Sequence, residues 1–141
     1  MKNVFLLSLV LAISFWSCSS DDDNKQTNDA HPIVGTWKLV SFSDSDGNYY
    51  PNDCEVKSRE TYETNGDLLQ KIYGYDSAGN CISEQMDIHW ELLGNGNMIK
   101  IIHEADYDET TWYMNFSNNN KNVEFVSATN NIEKIRYEKV Q

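Results

Sequence analysis

The chain has 141 residues and a formal net charge of −11 at pH 7, from 22 acidic and 11 basic side chains. A surface this acidic repels phosphate backbones and anionic lipid headgroups, which argues against nucleic acid as a partner. The length corresponds to one domain that can bury its own hydrophobic core.

The first 17 residues have the features of an export signal. Lys2 precedes a nearly all-apolar run over residues 4–16, which is 13 residues long. Spanning a bilayer takes about 20 apolar residues, so this run is too short for a transmembrane helix and has the length of a signal-peptide core. Residues 1–17 are therefore predicted to be a signal peptide that takes no part in the fold.

Ser17 and Cys18, at the end of this run, resemble the lipobox of bacterial lipoproteins. In that family the cysteine thiol receives a diacylglyceryl group, so the resemblance implies a lipid anchor to the membrane at Cys18, with enough acyl chains for stable attachment. The aspartates at 21–23 resemble a signal that sends lipoproteins of some Gram-negative bacteria to the cell surface. We therefore expect an outer-membrane protein that faces the cell exterior. Secretion without an anchor is the alternative.

The remaining chain divides into a tether and a folded domain. Residues 18–32 are polar and lack a hydrophobic period, which predicts a disordered tether. From residue 33 to residue 141 the segments alternate in polarity and are separated by turn signals. Eight strands are predicted over residues 33–42, 55–63, 67–75, 81–93, 98–104, 110–116, 123–127 and 132–140. Eight strands with short links predict an all-β fold, an antiparallel up-and-down barrel whose closure removes exposed edges.

Turn signals also predict how some strands pair. Asn95-Gly96 indicates a type I′ hairpin, which pairs Trp90 with Ile101 and Leu92 with Ile99 inside the barrel. In the same register Ile88 pairs with His103 inside and Glu91 with Lys100 outside. Because His89 then points outward and His103 inward, they cannot share a metal. The stretches 62–66 and 75–79 both predict a type I turn followed by a glycine bulge.

Cys54 and Cys81 form the remaining pair if Cys18 is lipidated. In an oxidising compartment an even number of cysteines predicts a disulfide. Cys81 falls opposite Tyr75, with a whole strand between the two cysteines if both lie in strands. That separation of about 9.6 Å is too large for a disulfide, so the bond requires at least one cysteine in a loop.

The segment Gly35-Thr36-Trp37 is similar to the opening strand of lipocalins and of the lipocalin-like domains of small bacterial surface lipoproteins. The resemblance covers roughly residues 33–140. It implies that Gly35 and Trp37 lie at a closed barrel end, where Arg136 of the last strand packs across the indole. Fatty-acid-binding relatives hold a carboxylate with Arg-x-Tyr, whereas Arg136 and Tyr137 are adjacent here, so that mode of binding is not expected.

The sequence contains no nucleophile elbow, paired-carboxylate signature, phosphate loop or metal cluster, so no catalytic residue, metal or cofactor is expected. One interpretation is a barrel that binds a small, largely apolar ligand. The candidate lining residues are Met86, Ile88, Trp90, Leu92, His103, Trp112, Met114 and Phe116. The same residues would also make a filled core. The alternative function is then contact with protein or glycan through acidic rim loops, above all residues 106–109. Ser77 resembles a glycosylation position of some exported bacterial proteins, or belongs to a simple turn.

Overall fold

The computed structural model describes residues 31–103 and 108–141 of the chain. The predicted signal peptide, Cys18 and most of the tether lie outside the described residues, and so do Asp106 and Tyr107 of the acidic loop. His31 and Pro32, which were assigned to the tether, contact the folded domain. The His31 Nε2 donates to the Gly96 carbonyl at 2.7 Å, while Nδ1 accepts from the Ile33 amide at 3.3 Å.

The described residues form nine β-strands and one short 3-10 helix. The strands are Gly35–Asp44 (β1), Gly47–Tyr49 (β2), Arg59–Tyr62 (β3), Asp67–Tyr75 (β4), Cys81–Leu93 (β5), Met98–His103 (β6), Asp108–Ser117 (β7), Asn122–Ser127 (β8) and Lys134–Lys139 (β9), and the 3-10 helix is Glu55–Lys57.

The strands close into an antiparallel barrel. From β3 to β9 the order in the sheet follows the chain, and β1 pairs with both β3 and β9, so β1 and β3 to β9 make a closed circle of eight. The predicted all-β, eight-stranded up-and-down barrel is confirmed. The remaining strand, β2, has three residues, lies outside this circle and pairs with residues 42–44 of β1.

Local hydrogen bonds explain two differences between the predicted strands and the observed ones. The strand predicted over residues 55–63 is shortened to β3. The Asn52 side chain accepts hydrogen bonds from the Cys54 and Glu55 amides, and these bonds turn the chain into the 3-10 helix. The added strand β2 follows a turn in which the Asp44 carboxylate accepts the Asp46 and Gly47 amides.

The predicted register of the β5–β6 hairpin is confirmed, with Trp90 opposite Ile101 and Leu92 opposite Ile99. The predicted turn type is wrong. A type I′ turn needs positive φ at both central residues, whereas the positive values occur at Gly94 (62°) and Gly96 (86°) on either side of Asn95. The register is unchanged because the four-residue link is still centred on Asn95-Gly96.

The two similar turns have the predicted common geometry. In the β3–β4 turn the Gly66 amide donates to the Glu63 carbonyl, and in the β4–β5 turn the Gly79 amide donates to the Asp76 carbonyl. Both glycines have positive φ, 93° and 83°, as a glycine bulge after a type I turn requires.

The barrel has two different ends. Residues 31–34 cross the end that carries the turns 63–66, 94–97 and 118–121, and Ile33 is fully buried there. We call this the closed end. The opposite end, which we call the open end, carries the β1–β2 turn, the link over residues 50–58 and the tip of the long β4–β5 hairpin.

Candidate functional site

Trp37 lies inside the barrel at the closed end. Its side chain is 0% exposed, and its indole N–H donates to the Ile33 carbonyl at 2.6 Å. Lys139 crosses the same end, with Nζ 5.1 Å from the Trp37 ring and 2.9 Å from the Pro32 carbonyl. Gly35 leaves room for it, because a Cβ there would lie 2.8 Å from the Lys139 Cε. Burial lowers the pKa of Lys139.

The predicted contact between Arg136 and Trp37 is wrong. Trp37 is opposite Lys139 in the β1–β9 ladder, whereas Arg136 is opposite Ser41. Adjacent residues of a strand point to opposite faces, and since Tyr137 points inward, Arg136 points outward. Its Nε lies 2.7 Å from the Glu124 carboxylate on the outer surface. Lys139 therefore provides the cation over Trp37.

The structure places the eight candidate lining residues in and around the hydrophobic core. Ile88, Trp90 and Met114 are buried, and Met86, Leu92, Trp112 and Phe116 pack against the same core. His103 is half-buried at the end of β6. None of the eight is in the wall of the interior cavity described next.

The interior cavity lies where the sheet is locally unpaired. On one side, β1 pairs with β3 through residues 35–37 and with β2 through residues 42–44, which leaves a gap beside residues 38–41. A cavity of about 220 Å³ lies at this gap, below the link over residues 50–58. It is lined by Trp37, Leu39, Tyr49, Glu55, Ser58, Arg59, Glu60, Ile72, Tyr73 and Tyr137.

Aromatic and aliphatic side chains make up most of the cavity wall. Tyr49, 45% exposed, donates from its hydroxyl to the Glu55 carboxylate, and these two residues form the solvent side. A larger concavity of about 650 Å³ lies on the outside of β7, β8 and β9, where Asn118, Asn122 and Glu138 make it polar. The interior cavity is the better ligand site because apolar walls around a few polar groups are typical of small-molecule pockets.

Glu60 is the acidic group at the inner side of the cavity. Its Oε1 accepts hydrogen bonds from the Tyr137 hydroxyl at 2.8 Å and the Gln70 amide at 3.0 Å, and its Oε2 accepts one from the Tyr62 hydroxyl at 3.0 Å. These donors come from β9, β4 and β3. Glu60 as a whole residue is half-buried, and its carboxyl group is held inside the barrel by these three donors.

Burial dominates the electrostatics of this cluster. Desolvation raises the pKa of Glu60, against the opposing effect of the hydrogen bonds from Tyr137, Tyr62 and Gln70. Burial and then the Glu60 charge raise the pKa of Tyr62 well above its ordinary value, and burial likewise raises that of Tyr137. Both hydroxyls therefore stay protonated and act as donors to the carboxylate.

The predicted disulfide between Cys54 and Cys81 is confirmed, with the Cα atoms 5.6 Å apart. Cys54 lies in the link over residues 50–58, just before the 3-10 helix, and Cys81 begins β5 opposite Tyr75. Having one cysteine in a loop removes the distance problem that two strand positions would have. The bond ties the link that covers the cavity to the β4–β5 hairpin.

The Glu60 cluster is the part of the site that the sequence analysis missed. The sequence does contain a signal for the pair Glu60 and Gln70, because the turn at 63–66 fixes the β3–β4 register and places Glu60 opposite Gln70. With Tyr62 buried on the same face, Glu60 is a carboxylate on an inward strand position. Tyr137 has no such local signal, since it lies 77 positions away in the chain.

Over residues 31–103 and 108–141, no three His, Cys, Asp or Glu side chains are grouped as a metal site would need. No helix in the same residues has the length and hydropathy to cross a membrane.

The fold and site define a small antiparallel barrel, closed at one end, with a partly apolar cavity near the other. The family described as lipocalin-like domain matches residues 33–121, more than half of the chain. The chain belongs to this family, which confirms the resemblance predicted from its first strand. Comparison with curated proteins gave no match.

Among solved structures, a de novo designed fluorescence-activating β-barrel is similar to this chain. The two share 15% sequence identity with a TM-score of 0.42, over 76% of this chain and 93% of the designed one.

Proposed function

We propose that the protein is an outer-membrane lipoprotein, anchored through Cys18 and facing the cell exterior, whose barrel binds a small, largely apolar ligand. The interior cavity carries the binding part of this proposal, because its walls include Trp37, Leu39 and Ile72 and it opens at the solvent-exposed Tyr49. The anchor is supported by the lipobox-like sequence at Ser17 and Cys18. The role is binding and not catalysis.

The size of the cavity restricts the ligand. About 220 Å³ is below the roughly 300 to 1,000 Å³ that drug-sized ligands occupy. The buried side chains of β5 to β8 form a packed hydrophobic cluster beside the cavity. A compact molecule of one or two rings, or an equivalent aliphatic group, fits this space.

A neutral solvatochromic naphthalene dye tests binding in this cavity. We expect saturable, blue-shifted emission with the wild-type protein and loss of that signal in Leu39→Trp, which places a larger side chain in the cavity wall. The matched control is Leu93→Trp, on the outer face of β5 near the closed end, which should bind as the wild type does. All samples are kept in the same detergent so that partition into micelles cancels.

Equal dye binding by Leu39→Trp and Leu93→Trp would show that the cavity is not the binding site. Absence of saturable binding by the wild type would favour the second function, contact with protein or glycan through acidic rim loops. Asp108 and Glu109, the described part of the predicted acidic loop, are exposed.

A further inference from the structure

The apolar lining of the interior cavity does not account for Glu60. Its carboxylate lies inside the barrel and accepts three hydrogen bonds, all from uncharged donors: the Tyr137 and Tyr62 hydroxyls and the Gln70 amide. A carboxylate has about four acceptor positions. With two donors on Oε1 and one on Oε2, an acceptor position remains on Oε2, and Glu60 is part of the cavity wall.

The nearby cations are engaged elsewhere. Arg59, the preceding residue of the strand, donates from Nη1 to the Val56 and Ser58 carbonyls at 2.8 and 2.7 Å. Lys139 lies over Trp37 and bonds to the Pro32 carbonyl. Within the described residues, no lysine, arginine or histidine is within ion-pair distance of Glu60. A buried carboxylate without a counter-ion is costly.

We propose that the ligand carries a protonated amine, for which Glu60 is the counter-ion at the inner side of the cavity. This inference rests on the proposed binding function and specifies the chemical class of the ligand. The ammonium group donates to the Glu60 carboxylate, and the apolar part of the ligand packs toward Leu39 and Ile72. Tyr137 and Tyr49 supply aromatic surface, which attracts cations through the ring face.

The charge of the molecule favours the same class of ligand. The chain has a net charge of −11, which raises the local concentration of small cations and lowers that of small anions. Burial raises the pKa of Glu60 in the empty cavity, and a bound cation acts in the opposite direction because it favours the ionised carboxylate. Amine binding is therefore expected to strengthen as the pH rises through the pKa of Glu60.

Several other groups face this carboxylate or line the cavity and bear on its pH dependence. The titratable and charged ones are Tyr62, Tyr137, Tyr49, Tyr73, Glu55 and Arg59. Burial raises the pKa of Tyr62 and Tyr137, and the hydrogen bond to Glu55 raises that of Tyr49. The same hydrogen bond lowers the pKa of Glu55, whereas burial raises the pKa of Glu60. Glu60 is therefore the carboxyl group of the cavity whose titration moves above its ordinary value.

Three ligands of nearly equal shape test the inference on the wild-type full-length protein by isothermal titration calorimetry. They are 2-phenylethylamine, 2-phenylethanol and phenylacetate. Since a hydrogen bond to a charged partner is worth more than a neutral one, we expect the amine to bind about tenfold or more tightly than the alcohol and phenylacetate to bind most weakly. The amine affinity should fall as the pH is lowered through the raised pKa of Glu60, and it should fall more than the alcohol affinity does.

Glu60→Gln provides the matched variant, because it keeps the size of the side chain and removes the charge. It should reduce the amine affinity to about that of the alcohol measured with the same variant. Glu63→Gln, three residues further along and exposed in the β3–β4 turn, should leave both affinities unchanged. If Glu60→Gln does not fold, the three-ligand comparison and the pH series on the wild type still decide the question.

The outcomes separate the two proposals. Equal binding of amine and alcohol, or an amine affinity that does not depend on Glu60, overturns the amine inference while ligand binding in the cavity stands. Tightest binding of phenylacetate also overturns it, and would assign the ligand contact to Arg59. Failure of the naphthalene dye and all three ligands to bind would overturn both proposals.

Discussion

Glu60 makes folding stability depend on pH in a direction opposite to that of most carboxylates. Its pKa is raised above the ordinary value of 4.5 by burial, so the folded chain binds this proton more tightly than the unfolded chain does. Its contribution to stability is therefore present below pH 4.5 and is lost as the pH rises through the folded-state pKa. Glu60→Gln removes this dependence, so the free energy of unfolding of the variant, relative to the wild type, should rise as the pH increases from about 4.5 through the folded-state pKa of Glu60.

Urea unfolding at several pH values measures this difference. Glu63→Gln is the control, because its side chain is exposed and its difference from the wild type should stay nearly constant. If the Glu60→Gln difference falls toward high pH, then the buried carboxylate is stabilised by its hydrogen bonds more than it is penalised by burial.

Trp37 is the residue on which the closed end of the barrel most depends. Its ring is fully buried, it donates to Ile33, and it lies 6.3 Å from the Phe116 ring. Trp37→Ala should lower the free energy of unfolding by about 3 to 5 kcal/mol, a large share of the stability of a small domain.

Trp112→Ala tests how densely the barrel is filled near the middle of β7. Trp112 is half-buried and packs at the margin of the core. Trp112→Ala should therefore lower the free energy of unfolding by less than Trp37→Ala does, because less packing is lost. Tyr113→Ala, on the outer face of the same strand, should change stability by no more than about 0.5 kcal/mol. Equal losses for Trp37→Ala and Trp112→Ala would mean that the interior is uniformly filled.

At the scale of the elements, the two similar turns offer a matched comparison. Gly66 and Gly79 both need positive φ, so alanine is strained in either turn. A Cβ at Gly66 would also lie 2.6 Å from the His89 Cε1 and 3.2 Å from the Trp90 carbonyl, whereas a Cβ at Gly79 meets nothing within 4 Å. Gly66→Ala should therefore be more destabilising than Gly79→Ala in thermal unfolding.

The difference between the two variants isolates the crowding at Gly66 from the backbone strain that both share. Similar losses of stability would show that the His89 side chain moves away at little cost. The double variant should show additive effects, since distant independent sites usually add within about 0.5 kcal/mol.

The Cys54–Cys81 disulfide joins residues 27 positions apart. On the chain-entropy estimate, closing a loop of this length stabilises the folded state by roughly 3.6 kcal/mol. In urea unfolding, the variant with both cysteines replaced by serine should have a free energy of unfolding that is lower by a large part of this amount. Reduction of the wild type should lower its free energy of unfolding by a similar amount. Peptide mapping without reductant should recover the two cysteines joined, and two free thiols in protein taken from cells would contradict the structure.

The elements that the sequence predicted most accurately are those bounded by strong turns. The ends of β4 and β5, at residues 67–75 and 81–93, agree with the prediction because Gly66 and Gly79 terminate the preceding turns. The short strands were less predictable. Asn52 and Asp44 bond to nearby backbone amides, and those side-chain contacts decide whether the chain extends or turns.

At the scale of the whole molecule, the barrel could be predicted but its cavity could not. Strand count and alternation determine closure, and closure then brings β9 beside β1, so that Tyr137 reaches Glu60 across the interior. The position of the cavity inside the barrel depends on the volumes of side chains from distant strands and on the gap beside residues 38–41. The sequence left Trp90 and Met114 open between a pocket and a core, and their packing partners place them in the core.

Membrane attachment through Cys18 is a property of the whole molecule that substitution of this cysteine tests. Cys18 lies outside the described residues, so the expectation rests on the apolar run, Ser17 and Cys18 itself. Cys18→Ala removes the thiol to which we propose that the lipid is attached, and we expect a chain that is not processed at this position and is lost from the outer-membrane fraction. Intact mass and membrane fractionation measure both effects, and Ser19→Ala is the neighbouring control that should behave as the wild type.

A Cys18→Ala protein that is found in the outer membrane at its mature length would show that attachment does not need this cysteine. Orientation is measured separately, by adding protease to whole cells. An anchored protein that faces the exterior is cleaved under these conditions, whereas one that faces the periplasm is cleaved only after the outer membrane is opened. Protection in intact cells would therefore contradict the surface location while leaving the anchor at Cys18 in place, since the aspartates at 21–23 bear on orientation and the thiol bears on attachment.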